Sequence, residues 1–369
     1  MILDLSPYHS ALEAMLRANA AVLGLREPLG PIHSELLGRG ESNLSFRLSV
    51  GHERSFTLRL CHRPEVAQNL EREFTLLGTL PKGFGPRPYL LDTSAEILPG
   101  PFALVSYLPG EVLTRLTLEQ LRAHGCRLAE LHNATESHAE GAASPDIHQE
   151  FLSSLAYWRG SHPALLEQPD VERLILMLER HFERVSAPLA GSARAVIIHG
   201  DPCLPNILFD GLQVNYIDWE WTRLGDPAQD LSQVGWHFEN LPWQTRLSEF
   251  EEATYLDAYQ GLRPDPTLLE RRRLWVTLYG FFDHLHFRTK AAAQAARGEV
   301  LPGELDYAEV VARMYDALTL EFLPARAGVS LRVGPLETGR RLGSHPITFS
   351  SDLLEATEAE TVAPFIEDA

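Results

Sequence analysis

Apolar residues recur at two different spacings along the first part of the chain. Residues 5–23 carry them at helical spacing after a Ser-Pro pair, which is typical of a capped helix start. Residues 33–50 are punctuated by glycines and end in an alternating pattern, which predicts a β-hairpin. Residues 55–60 alternate as a further strand, and residues 66–80 return to helical spacing. The pattern predicts a small sheet accompanied by helices.

Helical spacing dominates the remainder of the chain. Thr117 is followed three positions later by Gln120, which predicts a capping box at the start of a helix over residues 117–133. We expect two helices within residues 146–189, and further helices over residues 231–259 and 266–294. Fold class is therefore α+β, with strands concentrated near the N-terminus and a mainly helical C-terminal part.

Two apolar runs near the middle of the chain end in acidic residues. Residues 195–198 lead into His199-Gly200-Asp201 and a loop that holds Asn206, and the next apolar run ends at Asp218. Amide and carboxylate oxygens are ligands that suit Mg²⁺, so Asn206 and Asp218 are candidate metal ligands. Asp201 would then receive the proton of an attacking hydroxyl, which is the order of roles in kinase-type phosphoryl transfer.

These segments resemble the aminoglycoside phosphotransferase and choline kinase superfamily. That family has a catalytic loop H-G/N-D-x-x-x-x-N, a metal-binding loop I-D-[WF]-[GE] and a later G-D-P-x-x-D-L. Residues 199–206, 217–220 and 225–231 match the three motifs in that order. The resemblance covers roughly residues 30–320 and implies a two-lobed protein-kinase-like fold, with an antiparallel sheet and a helix in the small lobe and a mainly helical large lobe.

The resemblance also implies a nucleotide site in the first third of the chain. Gly38, Gly40 and Ser42 occupy the place of the loop that covers the nucleotide, where glycines let backbone N–H groups approach phosphate oxygens. Arg59 lies where protein kinases carry a phosphate-binding lysine; an arginine there departs from the kinase pattern but keeps the charge. Glu73 is implied as its acidic partner, although Glu71 is also on the predicted helix.

The segment that joins the two lobes is expected to follow the strand at residues 102–106. Backbone groups of Ser106, Tyr107 and Leu108, just before a Pro-Gly pair, are implied to bind the nucleotide base. We therefore predict a nucleotide-binding lobe over residues 1–107, a catalytic and substrate-binding lobe over residues 108–325, and an extension over residues 326–369 that matches no family motif and could be partly disordered.

The acceptor side of the site is the least specific part of the prediction. Trp275 and Tyr279 begin an aromatic stripe on one helix face, which is a common core pattern but can also hold a cationic amine. With Glu220, Asp230 and Asp283, and the formal net charge of −18, they suggest an acceptor with a positive charge. We expect Asp226 to brace the catalytic loop rather than to contact the acceptor.

Composition narrows the class of protein without identifying it. The chain has 369 residues, of which 44% are hydrophobic and 22% are charged, as in ordinary globular proteins. A net charge of −18 opposes binding to nucleic acid or to anionic membranes. No signal peptide or membrane span is visible and three scattered cysteines give no disulfide framework, so we expect a cytoplasmic protein. We expect it to be a monomer or a homodimer.

The sequence therefore predicts a small-molecule kinase. It would transfer the γ-phosphoryl group of ATP, or of GTP, to a hydroxyl of an aminoglycoside, choline, ethanolamine or a similar acceptor, with Asp201 as base and Mg²⁺ on Asn206 and Asp218. One alternative is a catalytically silent nucleotide-binding or scaffold protein. Another is a metallophosphatase using the D-x-H segment at residues 146–148, although the chain contains no Gly-Asn-His segment. Protein-kinase activity is disfavoured, because the chain contains neither the D-F-G nor the A-P-E segment of an activation loop.

Overall fold

The structure is a computed structural model of the chain. It describes residues 4–40, 42–52, 54–63, 66–139, 141–142, 145–189, 191–236, 243, 245–300 and 305–322. The predicted extension over residues 326–369 lies outside the described residues. By internal contacts the chain divides into unit 1, formed by Met1–Pro145 and Ser192–Leu269, and unit 2, formed by Asp146–Gly191 and Glu270–Ala369.

Unit 1 begins with the predicted sheet. Five antiparallel strands lie in the order β1-β2-β3-β5-β4. Their bounds are β1 (Ile32–Arg39), β2 (Asn43–Val50), β3 (Arg54–Cys61), β4 (Pro88–Asp92) and β5 (Phe102–Ser106). Alternate residues of β2 and β3 are buried, because successive side chains of a strand point to opposite faces of the sheet. The period-2 pattern of the sequence therefore identified both strands.

The helix predicted over residues 5–23 is present but interrupted. A short 3-10 turn (Ser6–Tyr8) precedes α1 (His9–Ala18), and α2 (Ala20–Leu23) follows it. The break falls at Asn19, whose side-chain amide donates to the Met15 carbonyl at 2.9 Å. Asparagine competes for backbone partners in this way, which explains why the hydrophobic pattern ran through a position where the helix stops. The helices pack on the same core as the sheet.

Four more helices complete unit 1. They are α3 (Ala67–Leu77), α4 (Leu118–Thr135), α8 (Pro227–Leu231) and α9 (Glu249–Leu262). The predicted capping box is confirmed, since the Thr117 side chain accepts from the Gln120 N–H and the Gln120 side chain accepts from the Thr117 N–H. The helix predicted over residues 231–259 is wrong at its start: α8 ends at Leu231, and α9 begins only at Glu249.

Two small sheets carry the central motifs in unit 1. In the first, β6 (Glu111–Val112), β8 (Ile207–Phe209) and β9 (Val214–Tyr216) pair in the order β6-β8-β9. The second pairs β7 (Val196–Ile198) with β10 (Arg223–Gly225). The apolar runs of the sequence thus become short buried strands, and the polar residues between them fall in loops.

Unit 2 is helical in the residues that the structure describes. It contains α5 (Ile147–Ser161), α6 (Pro163–Leu166), α7 (Pro169–Ser186), α11 (Tyr307–Phe322), and α10 (Leu268–Arg297) from Glu270 onward. Its core includes an aromatic cluster of Phe151, Phe182, Phe281 and Phe282. No described helix combines the length and apolar character that crossing a bilayer requires. The antiparallel sheet and the mostly helical remainder confirm the α+β class.

The D-x-H segment that suggested a metallophosphatase is a helix cap. Asp146 precedes α5, and its carboxylate accepts from the backbone N–H groups of His148 and Gln149 at 2.9 and 3.3 Å. An aspartate at this position satisfies helix N–H groups that have no intrahelical partner. The spacing of Asp146 and His148 is therefore explained by local backbone structure.

The close packing of α4 on α9 gives a test of the fold. A Cβ added at Gly125 of α4 would lie 2.4 Å from the Tyr255 carbonyl oxygen on α9, whereas a Cβ at Gly261 of α9 would meet open space. We expect Gly125→Ala to lower the free energy of unfolding by about 1–3 kcal/mol through overpacking. Gly261→Ala, as the matched control, should leave it unchanged or raise it by up to about 1 kcal/mol. Equal urea denaturation midpoints for the two variants would contradict the helix contact.

Candidate active site

The loop that follows β7 has a backbone that requires glycine. Gly200 has a φ of +89°, and a Cβ there would lie 2.3 Å from the Trp221 carbonyl oxygen. A side chain at this position would therefore meet both an unfavourable backbone conformation and a backbone clash. Gly200 lets the chain reverse between His199 and Asp201 at the end of the strand.

The carboxylate of Asp230 on α8 binds the backbone of this loop. Its two oxygens accept from the backbone N–H groups of His199 and Gly200, each at 2.8 Å. Burial opposes ionisation, but hydrogen bonds from His132 and Gly200 and the nearby imidazoles hold the pKa of Asp230 below its ordinary value. Asp230 is fully buried. It therefore supports the loop, and the expectation that it contacts the acceptor is corrected, because no part of its side chain is exposed.

Asp226, which was expected to brace the loop, caps a helix. Its carboxylate accepts from the Ala228 N–H at the start of α8, at 2.9 Å. Asp230, four residues later in the same G-D-P-x-x-D-L motif, accepts from the two loop N–H groups. A bracing contact of Asp226 with the loop stays a prediction.

His132 on α4 is a buried residue of the site. Its Nε2 lies 3.1 Å from an oxygen of Asp230, and its Nδ1 lies 2.9 Å from the Tyr259 hydroxyl. A carboxylate only accepts, so Nε2 carries a proton and donates to Asp230. In the neutral tautomer, Tyr259 then donates to Nδ1. The Leu131-His132 pair in the sequence was the signal for this contact.

His199 links the catalytic loop to the segment that carries Asp218. Burial lowers the pKa of His199, despite the opposing charges of Asp230 and Asp218. In a neutral ring one nitrogen donates and the other accepts. Nδ1 lies 3.3 Å from the Asp201 N–H and accepts from it, so Nε2 donates to the Ile217 carbonyl at 3.1 Å.

Asp201 and Asn206 contact each other directly. The side-chain amide of Asn206 donates to the Asp201 carboxylate at 3.0 Å and to the Asp201 carbonyl at 2.9 Å. The same amide lies 3.5 Å from the Cys203 sulfur. Burial, followed by the charge of Asp201 and a hydrogen bond to it, raises the pKa of the Cys203 thiol well above its ordinary value. Cys203 is thus a buried neutral thiol, as expected for a residue that is not a nucleophile.

The β8-β9 hairpin brings Asp218 next to Asn206. Ile207 pairs with Tyr216, and the Ile217 N–H donates to the Asn206 carbonyl at 3.0 Å. Asp218 follows immediately with a φ of +66°, in the left-handed region that few non-glycine residues adopt. Strained backbone of this kind is concentrated at functional sites.

Arg59 on β3 bridges two carboxylates. Its guanidinium pairs with Glu73 on α3 and, through its other terminal nitrogen at 2.6 Å, with Asp218. Glu73 also accepts from the Trp219 N–H at 3.0 Å. Burial raises the pKa of Glu73, and the Arg59 guanidinium opposes that effect. Glu73 is buried whereas Glu71 is exposed, so the structure pairs Arg59 with the partner that the resemblance implied.

Glu220 lies in the same acidic surroundings. Burial, followed by the charge of Asp218, raises its pKa to about 8, with Arg59 opposing. Its backbone carbonyl accepts from the Arg72 side chain of α3 at 2.6 Å. Adjacent residues of α3, Arg72 and Glu73, therefore both hold the segment 218–220. The side chain of Glu220 is half-buried, which is compatible with contact to a ligand.

The three residues implied to cover phosphates lie at the β1-β2 hairpin: Gly38 is near the end of β1 and pairs with Ser45, and Gly40 and Ser42 lie between the two strands. A Cβ at Gly38 would meet nothing within 4 Å, and one at Gly40 would meet only the Asn43 carbonyl at 3.5 Å. Neither glycine is required by the packing of the described residues. Ser42 is buried, and its carbonyl accepts from the His62 N–H at 3.0 Å.

The segment implied to bind the nucleotide base follows β5. The Ser106 N–H donates to the Arg87 carbonyl at 2.8 Å, so this donor is already used within the sheet. The guanidinium of Arg47 lies 4.5 Å from the ring centre of Tyr107. Only Tyr107 and Leu108 therefore remain as candidates for a backbone N–H that binds a base.

Three predicted acceptor residues lie on α10 in unit 2. Trp275 is only 2% exposed, and its ring centre lies 5.9 Å from that of Tyr279. Trp275 is a core residue in this structure, so the expectation that its ring face is open to a ligand is corrected. Tyr279 and Asp283 are half-buried, and their contact with an acceptor stays a prediction.

The donor atoms present fit a hard cation such as Mg²⁺. The amide nitrogen of Asn206 is used by Asp201, which leaves its carbonyl oxygen as the atom suited to a metal. The Asp218 side chain is 37% exposed and holds an exchangeable ion pair with Arg59. Within the described residues no group of three or more His, Cys, Asp or Glu side chains could hold a metal. Mg²⁺ does not need one, because it keeps several waters and binds substrate phosphates.

Solved structures support the kinase-like fold. A structure described as an aminoglycoside phosphotransferase, from Ralstonia eutropha JMP134, has a TM-score of 0.59 and 17% identity, covering 85% of this chain and 97% of that one. An ethanolamine kinase from Plasmodium vivax has a TM-score of 0.57 and 15% identity, covering 87% and 90%. APH(2")-IIIa in complex with GDP and kanamycin has a TM-score of 0.52 and 16% identity, covering 83% and 99%. At these identities the likeness shows the fold alone.

The sequence itself shows the family. Residues 33–275 match the model of the phosphotransferase enzyme family, a range that includes the sheet, the catalytic loop and the Asp218 segment. No match is found among curated proteins. The chain belongs to the phosphotransferase enzyme family, and it is a phosphotransferase with a hydroxyl group as acceptor.

Proposed function

We propose that the protein transfers the γ-phosphoryl group of ATP or GTP to a hydroxyl of an amino-containing small molecule, with Asp201 as the base. The observation that carries the proposal is the contact between Asp201 and Asn206, with Asn206 held beside Asp218 by the Ile217 N–H. A base and two oxygen ligands for a metal are thereby joined in one short stretch of backbone. The reaction is a single displacement at phosphorus.

Asp201 receives the proton of the acceptor. The acceptor hydroxyl oxygen forms a bond to the γ-phosphorus, the bond from that phosphorus to the bridging oxygen breaks, and the nucleoside diphosphate leaves. The hydroxyl proton passes to the Asp201 carboxylate. The Asn206 amide donates to the Asp201 carboxylate and the Asp201 backbone N–H donates to His199, so this residue is held in place before the acceptor arrives, and such positioning lowers the barrier.

Asn206 and Asp218 would hold Mg²⁺ through their side-chain oxygens. When bound, the cation neutralises charge on the nucleotide phosphates. Asp218 is also paired with Arg59. The Arg59 guanidinium would therefore bind either the Asp218 carboxylate or the nucleotide phosphates. The ion pair with Glu73 orients it towards both.

The nucleotide site would extend from Arg59 to the first hairpin and to the end of β5. The lack of any packing reason for glycine at Gly38, near the end of β1, supports a hairpin whose backbone approaches a ligand. Tyr107 and Leu108 would meet the base. We also propose that residues 1–107 form the nucleotide-binding lobe and residues 108–325 the catalytic and substrate-binding lobe.

An amino-containing acceptor is supported by charge. Glu220, Asp201 and Asp218 lie close enough together for their charges to raise the pKa of Glu220. A protonated amine beside such carboxylates would replace a like-charge contact with an attractive one. Structural neighbours are described as a choline kinase, an ethanolamine kinase and a kanamycin complex, whose ligands contain amines.

A catalytically silent scaffold protein is the second candidate. The observation that favours it is the pairing of Arg59 with Asp218, which occupies both a phosphate-binding cation and a metal-binding carboxylate. The active protein requires Mg²⁺ and nucleotide to exchange these partners. Turnover of ATP or GTP in the presence of Mg²⁺ and a panel of amino alcohols, aminoglycosides and neutral sugars distinguishes the two candidates.

The role of Asp201 can be tested by a charge-neutral substitution. We expect Asp201→Asn to bind nucleotide normally but to lose about 10²–10⁴-fold in turnover, the usual effect of removing a general base. Asp210→Asn is the matched control, because Asp210 is exposed in the β8-β9 turn and asparagine suits that turn equally well. Turnover of Asp201→Asn within a few-fold of the Asp210→Asn value would reject Asp201 as the base.

The metal assignment is tested by binding rather than activity. We expect Asp218→Asn to remove most of the Mg²⁺-dependent gain in nucleotide affinity, measured by calorimetry with and without Mg²⁺. Asparagine is a better substitution than alanine here, because asparagine tolerates the φ of +66° at this position. Nucleotide affinity without Mg²⁺ serves as the folding control. If the Mg²⁺ gain is unchanged, the metal does not bind at Asp218.

The acceptor class is tested at Glu220. We expect Glu220→Gln to raise the KM of an amine-containing acceptor more than that of the nucleotide, because glutamine, unlike Glu220, cannot ionise beside a bound cationic amine. Glu71→Gln, an exposed carboxylate on α3, controls for loss of charge alone. Phosphorylation of neutral polyols only, with no difference between the two variants, would reject the cationic acceptor while leaving the kinase assignment intact.

A further inference from the structure

One face of α7 in unit 2 is basic, although the chain as a whole carries a net charge of −18. Arg173, Met177, Arg180 and Arg184 follow each other at spacings of four, three and four residues, which places them on one side of the helix. We call this surface the α7 basic face. Arg173, Arg180 and Arg184 are exposed.

The α7 basic face has apolar surface between its charges. Leu176 is 49% exposed, and Met177 beside it is half-buried. The acidic Glu172 precedes Arg173 on the same exposed side of the helix. The opposite side of α7 is the buried one, with Val171, Leu174, Leu178 and Phe182 in the core. The arginine side is therefore not needed to hold α7 in unit 2.

The three arginines have no ion-pair partner among the residues that the structure describes. By contrast, Arg288 on α10, in the same unit, pairs with Asp170 of α7 at 2.7 Å. Exposed arginines in an acidic protein usually find carboxylates nearby. A cluster of three with an apolar centre is suited to a ligand that carries several carboxylates and some apolar side chains.

The chain itself contains a segment of that chemistry. Residues 342–369 contain no Lys or Arg, and their six acidic residues are Asp352, Glu355, Glu358, Glu360, Glu367 and Asp368. The first two flank Leu353 and Leu354. Carboxylates around a Leu-Leu pair complement arginines around Leu176 and Met177.

The segment also begins within reach. α11 ends at Phe322, and α11 packs against α7 within unit 2. The 29 residues from Leu323 to Ser351 separate that end from Asp352. A random-coil chain of this length spans about 30 Å on average, and a tether of that reach gives an effective concentration of order millimolar. Weak surface ion pairs suffice for docking at such a concentration.

We propose that the acidic C-terminal segment, residues 352–368, docks on the α7 basic face of the same chain. The carboxylates pair with Arg173, Arg180 and Arg184, and Leu353 and Leu354 cover Leu176 and Met177. The interaction is independent of the phosphoryl-transfer site. A nucleic acid or an anionic membrane is a poorer occupant, because the net charge of −18 repels both.

Hydrogen exchange on the full chain tests this docking. In the wild type we expect peptides from residues 352–368 to exchange at least about tenfold more slowly than the unprotected rate. The triple variant R173E/R180E/R184E should abolish that protection, and adding E355R/E358R/E360R to it should restore protection. Arg159→Glu on α5, an exposed arginine of the same unit, is the control and should change nothing.

Two further measurements keep the test decisive. The tail variant E355Q/E358Q/E360Q alone should lose protection without altering α7, so the result does not depend on α7 variants folding. Raising salt from about 0.1 M to about 1 M shortens the Debye length from about 10 to about 3 Å and should weaken the protection. The proposal is overturned if residues 352–368 exchange at the unprotected rate in the wild type. It is also overturned if protection appears only at high protein concentration together with a dimer, which would mean docking on a second copy.

Discussion

The buried carboxylate of Asp230 is the constraint on which the catalytic loop depends. An ionised group without solvent is unfavourable unless charge-assisted hydrogen bonds replace its hydration. Asp230 obtains them from the His199 and Gly200 N–H groups and from His132. Removing one hydrogen-bond partner from such a buried group typically costs about 1–3 kcal/mol, and more when the group is charged. The positions of His199 and Gly200, and therefore of Asp201, follow from the requirement to satisfy one charge on a short helix.

A second buried charge connects the sheet to the same region. Arg59 can hold Glu73 and Asp218 together because a guanidinium has two terminal nitrogens in a fixed fork, whereas a lysine ammonium is a single point charge. The arginine at this position therefore does more than preserve a positive charge. It joins β3, α3 and the segment around Asp218, and Glu73 reinforces the link through the Trp219 N–H. The departure from the kinase pattern has a structural consequence that a charge count does not reveal.

The distribution of charge separates two kinds of surface. Carboxylates collect near Asp201, Asp218 and Glu220, where they suit a cation, while the basic residues of α7 lie in the other unit. The overall charge of −18 describes neither region. A net charge is informative about solubility and long-range attraction, but recognition depends on which charges share a surface.

By itself the sequence determined the elements with strong local signals. Alternation identified β2 and β3, the Thr117 and Gln120 capping box marked the start of α4, and three ordered motifs identified the family. The resemblance to that family implied the pairing of Arg59 with Glu73. Local rules work at these positions because caps and strand faces depend on neighbours a few residues away. They fail at Asn19, where a side chain competes for the helix backbone, and between α8 and α9.

Only the tertiary structure decided the roles of buried polar residues. Asp226 and Asp230 are indistinguishable by residue type and both are buried, yet Asp226 caps α8 whereas Asp230 contacts His132 of α4 and binds the catalytic loop. His132 became part of the site through a contact with a residue 98 positions away along the chain. Trp275 is a core residue rather than an open ring for the same reason. Packing determines which residues become hydrogen-bond partners across the fold. The pattern of residue types along the chain does not show which residues far apart in sequence lie close together in space.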